Sequence, residues 1–312
     1  MKKIFTLLLL FTLLPLLLSA KGTVTIGGSP YTADTLAHYK VGPGTYHTYV
    51  HFSGPKDMRA FYLEIDATNP YISFESVLGR DSIVTCEGIT NMAARKSQPG
   101  NRYFAGTNAD FFATSGAIGT PVHGFASGGQ LGKVPVSSGP QTAFTHNDEC
   151  YISFVTFYGQ VTYNNATYGI HSVNGSRGTD QLVLYNRYVG HYTHTNAYGY
   201  EVPVSLADGE TWGLNRAVKI VVSGAGNTAG NMEIAENGAV LSGHGASADF
   251  LKTLQPGDEL EMKLLLQLED GTYPDINCMI GGDRKILGNG QVLDTDWAEL
   301  HPRTSIGYSA DR

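Results

Sequence analysis

Glu259-Leu260-Glu261-Met262-Lys263-Leu264-Leu265-Leu266-Gln267-Leu268, followed by Glu269-Asp270-Gly271, shows the pattern on which the chain is built. It is a β run closed by a hairpin-turn dipeptide. The same pairing of run and turn recurs outward from it. Val218–Val222, Ala239–Leu241, Leu182–Tyr185 and the aromatic/β-branched alternation of Tyr151–Asn164 are further runs, and Asp208-Gly209, Asn237-Gly238 and Asn289-Gly290 are further turn signals. Upstream, Ala60–Asp66 and the cleanly alternating Ile72–Leu78 flank Asn69-Pro70. Repeated Asp-Gly and Asn-Gly turns favour antiparallel pairing.

Two segments read as helices. Ile89–Ser97 has Thr90 as its cap and stops before Pro99-Gly100, and Ser247 caps a second that carries Phe250, Leu251 and Leu254 on one face and ends at Pro256-Gly257. The chain leaving the first helix through Tyr103-Phe104-Ala105-Gly106 is expected to enter a buried strand. Gly116–Gly139 reads as a long loop forming a flap or wall, because loops of this length in compact domains tend to be functional or disordered. The expected class is α+β: a strand-rich mixed, largely antiparallel sheet with a few helices packed on it. No repeat at solenoid or propeller spacing occurs.

The 312 residues, 42% hydrophobic, suffice for one large domain or two smaller ones. A net charge of −7 without any Lys/Arg run argues against a nucleic-acid partner, which requires a basic face. Lys2-Lys3, the apolar run Ile4–Leu18 and Ser19-Ala20 have the regions of a secretory signal peptide over 1–20, which places the protein in the periplasm or outside the cell. An uncleaved anchor stays open, and no membrane span is expected after cleavage. Residues 21–59 then form an N-terminal arm. Cys86, Cys150 and Cys278 are odd in number and lie in no CxxC, so neither a zinc site nor a redox motif is indicated. Buried free thiols are expected, with one bridged pair left open.

The chemistry concentrates near the end. Ile280-Gly281-Gly282-Asp283-Arg284 and His301-Pro302-Arg303-Thr304-Ser305-Ile306-Gly307 place backbone N–H groups, a carboxylate, a guanidinium and a hydroxyl within a short span. Arginine's planar fork binds phosphate or carboxylate in a bidentate way, and glycine lets a backbone approach a ligand. Pro302 biases His301 towards extended geometry, so His301 and Arg303 belong to a defined loop. The inventory suits an anionic, hydroxylated ligand.

These two segments, with Asn108-Ala109-Asp110-Phe111-Phe112 and the run His171–Asn186 followed by Gly199-Tyr200-Glu201, resemble the motifs of the phosphodiester glycosidase family in content and order. The resemblance covers most of 60–312. It implies an exported hydrolase that cleaves the bond between a sugar's anomeric carbon and phosphate, with a phosphorylated glycan or sugar phosphodiester as partner and no cofactor. By that resemblance Asp110, Asp283 and Arg303 are the catalytic candidates, and Asn108, Gly282, His301 and Thr304 bind substrate. Arg303, with His301 when protonated, holds the phosphodiester, while Asn108 and Thr304 bond sugar hydroxyls or phosphate oxygens. Asp110 or Asp283 orients water or stabilises the oxocarbenium. Asn108, Arg303, Thr304 and Gly307 match the pattern residue for residue, whereas the family's lysosomal member carries Gly where Asp110 stands. Glu201 is expected to make a structural hydrogen bond. Family members continue into an Asp-Gly-Gly-Gly-Ser segment that does not occur before Arg312, so the domain is expected to lack the family's C-terminal part. The alternative is a non-catalytic envelope or glycan-binding module on the same fold.

Other motifs carry less. Gly224-Ala225-Gly226-Asn227-Thr228-Ala229 has dinucleotide-site spacing but runs on to Asn237-Gly238, where a helix would be needed. His191 and His194 are expected to be solvated, Asp294-Thr295-Asp296 supplies too few oxygens for a calcium loop, and no metal ligand is assigned. A metal requirement stays open. Asn165-Ala166-Thr167 and Asn174-Gly175-Ser176 match glycosylation acceptors.

Overall fold

The computed structural model describes residues 21–293 and 301–309. The expected signal segment and Asp294-Thr295-Asp296 lie outside them. The chain divides at Asn69/Pro70 into two compact units.

The first is a four-stranded antiparallel meander, β1 (Lys21–Ile26), β2 (Ser29–Gly42), β3 (Thr45–Ser53) and β4 (Met58–Ile65). Gly27-Gly28 turns the chain between β1 and β2 with φ of 55° and 77°, values a side chain rarely tolerates. Cross-strand rings stabilise the meander: Tyr49 stacks on Phe61 with centroids 4.6 Å apart. Because β4 belongs to this sheet, it crosses the expected edge of the arm at 59/60.

The second unit holds a five-stranded sheet and a barrel. Short strands β5 (Phe125–Ser127), β6 (Gln130–Lys133), β7 (Gln141–Thr145) and β8 (Cys150–Ser153) come first. The chain then winds continuously through β9 (Val155–Tyr163), β10 (Ala166–Val173), β11 (Leu182–Asn186), β12 (Tyr200–Leu206), β13 (Ala217–Val222), β14 (Gly238–Gly243) and β15 (Glu259–Leu268). These seven close into a barrel in the order β10-β11-β14-β12-β13-β15-β9. β16 (Ile276–Gly281) returns to the first strands, giving a sheet β6-β5-β16-β7-β8, and β17 (Leu287–Gly288) with β18 (Gln291–Val292) forms a small terminal hairpin.

β15 shows why the barrel closes. Leu260, Met262, Leu264, Leu266 and Leu268 alternate inward and are each no more than 5% exposed, while the strand pairs with β9 on one side and β13 on the other. An alternating strand with both edges paired has one apolar face to bury and no edge to protect. Leu182, Leu241, Ile220 and Val161 meet it in the core.

The expected α+β class is therefore corrected: strands make up 43% of the chain and helix 7%, and the sheet closes on itself instead of serving as a floor for helices. Among the described residues the α-helices are α1 (Ile89–Lys96) and α2 (Ala246–Leu251). Neither cap is the expected one. Gly88 precedes α1, and Gly245 at φ 53° precedes α2, whose Ala246 N–H donates to Asp180 Oδ1 at 2.9 Å. α2 drops Phe250 and Leu251 into the barrel core, where Phe250 stacks on Tyr168.

Other expectations give way to tertiary context. Ile72–Leu78 keeps its alternation of buried positions but joins no ladder; it lies against the sheet through Phe74, stacked on Phe144 at 4.2 Å. Tyr103–Gly106 is irregular and partly exposed, not a buried strand. Gly116–Gly139 is not one long loop, since the β5–β6 hairpin turns inside it at Gly128-Gly129. Of the four expected hairpin dipeptides, Asn289-Gly290 makes a two-residue hairpin and Asp208-Gly209 lies in the connection between the antiparallel pair β12 and β13, whereas Asp270-Gly271 carries the chain from barrel to sheet and Asn237-Gly238 opens β14 without pairing it to β13. The β9–β10 hairpin instead turns at Asn164-Asn165.

Candidate functional site

The Asn108–Phe112 segment packs against the C-terminal end of β16 through Asp110, and the terminal segment reaches it through Thr304. Asp110 adopts φ 57°, a conformation open to Asp and Asn more than to most residues, and both its carboxylate oxygens are bound. Oδ1 accepts from the Phe111 N–H at 2.7 Å and pairs with His123 Nδ1 at 2.6 Å, and Oδ2 accepts from the His123 N–H at 2.9 Å. The two side chains are 7% and 5% exposed. They close the base of the loop 111–122, which is laddered by Val122 N–H to Phe111 O at 2.8 Å and Ala113 N–H to Thr120 O at 2.9 Å.

β16 packs directly on this pair. A Cβ at Gly281 would collide with His123 Cβ and come within 2.9 Å of Asp110 Oδ2, and one at Gly139 would collide with the His123 ring and Gly282 O. Both positions need glycine for close approach, not for turning. Gly282 N–H donates to Pro140 O at 2.8 Å. The terminal loop joins through Thr304, whose hydroxyl donates to Asn108 Oδ1 at 2.8 Å across 196 positions of sequence.

The structure joins Asn108 to Thr304 and packs Asp110 against Gly281, next to Gly282, while His301 and Arg303 lie in the exposed segment 301–309 that carries Thr304. Asp283 stands apart from the Asp110 pair in character: its carboxylate is 41% exposed and lies 3.5 Å from Arg284 Nε. His123 was not assigned by sequence reasoning. Its signal was Pro121-Val122-His123-Gly124 in the expected flap, but a partner 13 residues away in a loop follows no periodicity.

A cleft of about 630 Å³ opens beside this region, walled by Ala117 and Thr120 of the same loop, Lys133 of β6, and residues 174–177 and 193–196. Beneath it lies a buried polar network. Arg177, 5% exposed, donates to Ser242 Oγ at 2.8 Å and to Asn196 O and Oδ1 at 2.9 and 2.8 Å, with Glu201 4.0 Å away. Glu201 is fully buried and accepts from Thr195 Oγ1 at 2.9 Å and from Thr193 Oγ1 and the Met232 N–H at 3.1 Å. Such complete partnering is what a buried carboxylate requires. Asn174, one of the two glycosylation matches, is occupied inside the fold, bonded to Gly132 O and Asn186.

Lys133 Nζ donates to Val122 O at 2.7 Å and His123 O at 3.2 Å. Burial lowers its ammonium below the ordinary lysine value, opposed by the Asp110 carboxylate. Gly224–Ala229 is followed by no helix before β14, which removes the dinucleotide reading. Among the described residues no cluster of three or more His, Cys, Asp or Glu offers a metal site. The described residues also contain no helix long and apolar enough to cross a membrane.

No protein-family model and no curated protein matches the chain. In fold it is similar to the crystal structure of a hypothetical protein from Synechocystis, with a TM-score of 0.52 and 13% identity over 88% of this chain and 46% of that one. The chain therefore spans about half the length of that protein, and the likeness concerns the fold alone.

Proposed function

We propose that the chain is an exported hydrolase of the phosphodiester glycosidase type, cleaving the bond between a sugar's anomeric carbon and phosphate. The observation that carries this reading is the Thr304–Asn108 hydrogen bond, which joins the two segments whose residues most closely follow that family's pattern. Water adds to the anomeric carbon and gives up a proton to solvent, the C–O bond breaks, and its electron pair leaves with the phosphate monoester. Phosphate is a good leaving group, so no strongly raised general acid is required.

Arg303 holds the phosphodiester and stabilises the charge that gathers on it. His301 assists when protonated. Asp283, the solvent-reaching carboxylate, takes the water-orienting role, because the oxygens of Asp110 are already committed to His123 and Phe111. Asp110 is then a positioning residue that fixes the loop carrying Asn108.

An alkyl sugar-1-phosphodiester and a plain aryl glycoside of the same sugar, assayed side by side, test the reading. Sugar release from the first alone supports it. Binding of both without turnover would make the chain a glycan-binding module, and release from the plain glycoside would make it an ordinary glycosidase working through two carboxylates.

A further inference from the structure

α1 (Ile89–Lys96) buries none of its eight residues. A helix of that length does not persist in water on its own propensity, so contacts with the rest of the molecule must hold it. Those that tie down its last turn are ionic. Arg95 Nε donates to both Glu87 oxygens, at 3.3 and 3.2 Å, Nη2 donates to Glu87 Oε2 at 3.0 Å and to Leu78 O at 3.3 Å, and Nη1 pairs with Asp81. Lys96 Nζ lies 2.9 Å from Glu75 Oε1 and 3.8 Å from Asp81 Oδ1.

The carboxylates belong to a strip that is anchored independently. Phe74 stacks on Phe144, Leu78 and Ile83 are buried with Phe125, and the Ile83 N–H donates to Tyr188 O at 2.9 Å, which fixes the segment carrying Glu75 and Asp81. Glu87 is joined to the same strip by the Arg80 N–H, which donates to its Oε2 at 2.9 Å. The bond from Arg95, and after it the one from Arg80, holds the Glu87 carboxyl below the ordinary glutamate value, so it is ionised at neutral pH. One side of the contact is fixed by apolar packing and the other by charge.

The chain beyond α1 hangs on the helix. Ser97 Oγ donates to Ala93 O at 2.7 Å and accepts from the Tyr103 N–H at 3.0 Å, and a Cβ at Gly106 would come within 3.2 Å of Ile89. None of residues 97–109 is buried, so this run has no apolar anchor of its own. Asn108, two residues past Gly106, makes the bond to Thr304.

We propose that α1 is a latch closed by the network of Glu75, Asp81, Glu87, Arg95 and Lys96, whose release frees residues 89–108, the run that presents Asn108 to Thr304. Closure depends on charge at partly exposed positions, which makes the latch sensitive to ionic strength.

Amide hydrogen exchange of the full chain, read peptide by peptide, tests it. In Arg95→Met, which keeps an apolar stem and removes the charge, the bonded amides of α1, Gln98, Asn101 and Tyr103 exchange at least about tenfold faster than in the wild type, while those of β9 and β15 keep their rates. Glu87→Gln, which removes an opposing charge at nearly constant shape, acts in the same direction. Raising NaCl from about 0.05 M to about 0.5 M speeds exchange of the same amides in the wild type by about threefold. Should either variant also lose protection in β9 and β15, the salt series on the wild type decides. The readout needs no hydrolysis, so this inference and the hydrolase reading fail separately. Wild-type rates in both variants, no response to salt, or a rise confined to α1 that leaves Gln98, Asn101 and Tyr103 unmoved overturns the proposal.

Discussion

Asp110 shows how far a single residue can be read. Its place among the candidate carboxylates was legible from Asn108-Ala109-Asp110-Phe111-Phe112, but its role was not, because that depends on a left-handed backbone and on His123 arriving from the far side of a loop. The geometry separates it from Asp283, and the separation is measurable. Asp110→Asn exchanges a charged acceptor of three hydrogen bonds for a neutral amide, so it destabilises the fold by about 1.5–3 kcal/mol in denaturant titration. Asp283→Asn, at an exposed carboxylate, leaves the denaturation midpoint within about 0.5 kcal/mol and lowers turnover. Gly281→Ala drives a methyl group into His123 and Asp110, an overpacking expected to cost about 1–3 kcal/mol. Wild-type stability in Gly281→Ala would mean that β16 does not press on that pair.

At the scale of elements, the strands that announced themselves were those with local patterns. Glu259–Leu268 and Leu182–Tyr185 were legible because their apolar residues are their own evidence. Ile72–Leu78 alternates just as cleanly, yet it finds no free edge to pair with, and its alternation serves packing on Phe144 instead. The turns misled for a similar reason: Asn-Gly and Asp-Gly report a backbone that can take positive φ, not which strands it joins. One bond between barrel and sheet, beside that of Asn174 to Gly132 O, was invisible in sequence. It is made by Asn186, whose side chain donates to Leu131 O at 2.9 Å and accepts from Asn174 Nδ2 at 2.7 Å. Asn186→Ala leaves the Leu131 carbonyl buried and unpaired, costing about 1–3 kcal/mol and raising amide exchange in β6 before the barrel strands. Uniform exchange across both would contradict a specific tie.

The class of the whole molecule is not legible in the sequence because closure is a non-local property. Each helix expected from local signals exists, but at eight and six residues they are accessories, and only the pairing of β9 with both β10 and β15 makes a barrel of what otherwise reads as an open sheet. The cysteines follow the packing. None is bridged; Cys86 is exposed, Cys150 partly buried and Cys278 buried, so the expectation of three buried thiols holds for only part of the set. Burial holds the Cys150 thiol at about 12 against an ordinary 9.0, and the Tyr185 and Tyr188 phenols at about 12 against 10.0. Because these groups keep their protons longer in the folded chain, their contribution is complete below about pH 9 and is lost as pH rises towards 12. The urea midpoint therefore falls between about pH 8 and about pH 11, and a thiol reagent at about pH 8 titrates Cys86 quickly and the other two only after unfolding.

The proposed phosphodiester chemistry lies at the loop holding Arg303 and Thr304, where it meets Asn108. Its most direct test is steady-state release of sugar from an alkyl sugar-1-phosphodiester by the wild-type chain and by Arg303→Lys. Wild-type turnover with a loss of roughly a hundred- to a thousandfold in kcat for the lysine variant, the scale of a lost charge-stabilising donor, is the predicted result. No release by the wild type, or near-full activity in Arg303→Lys, would contradict it.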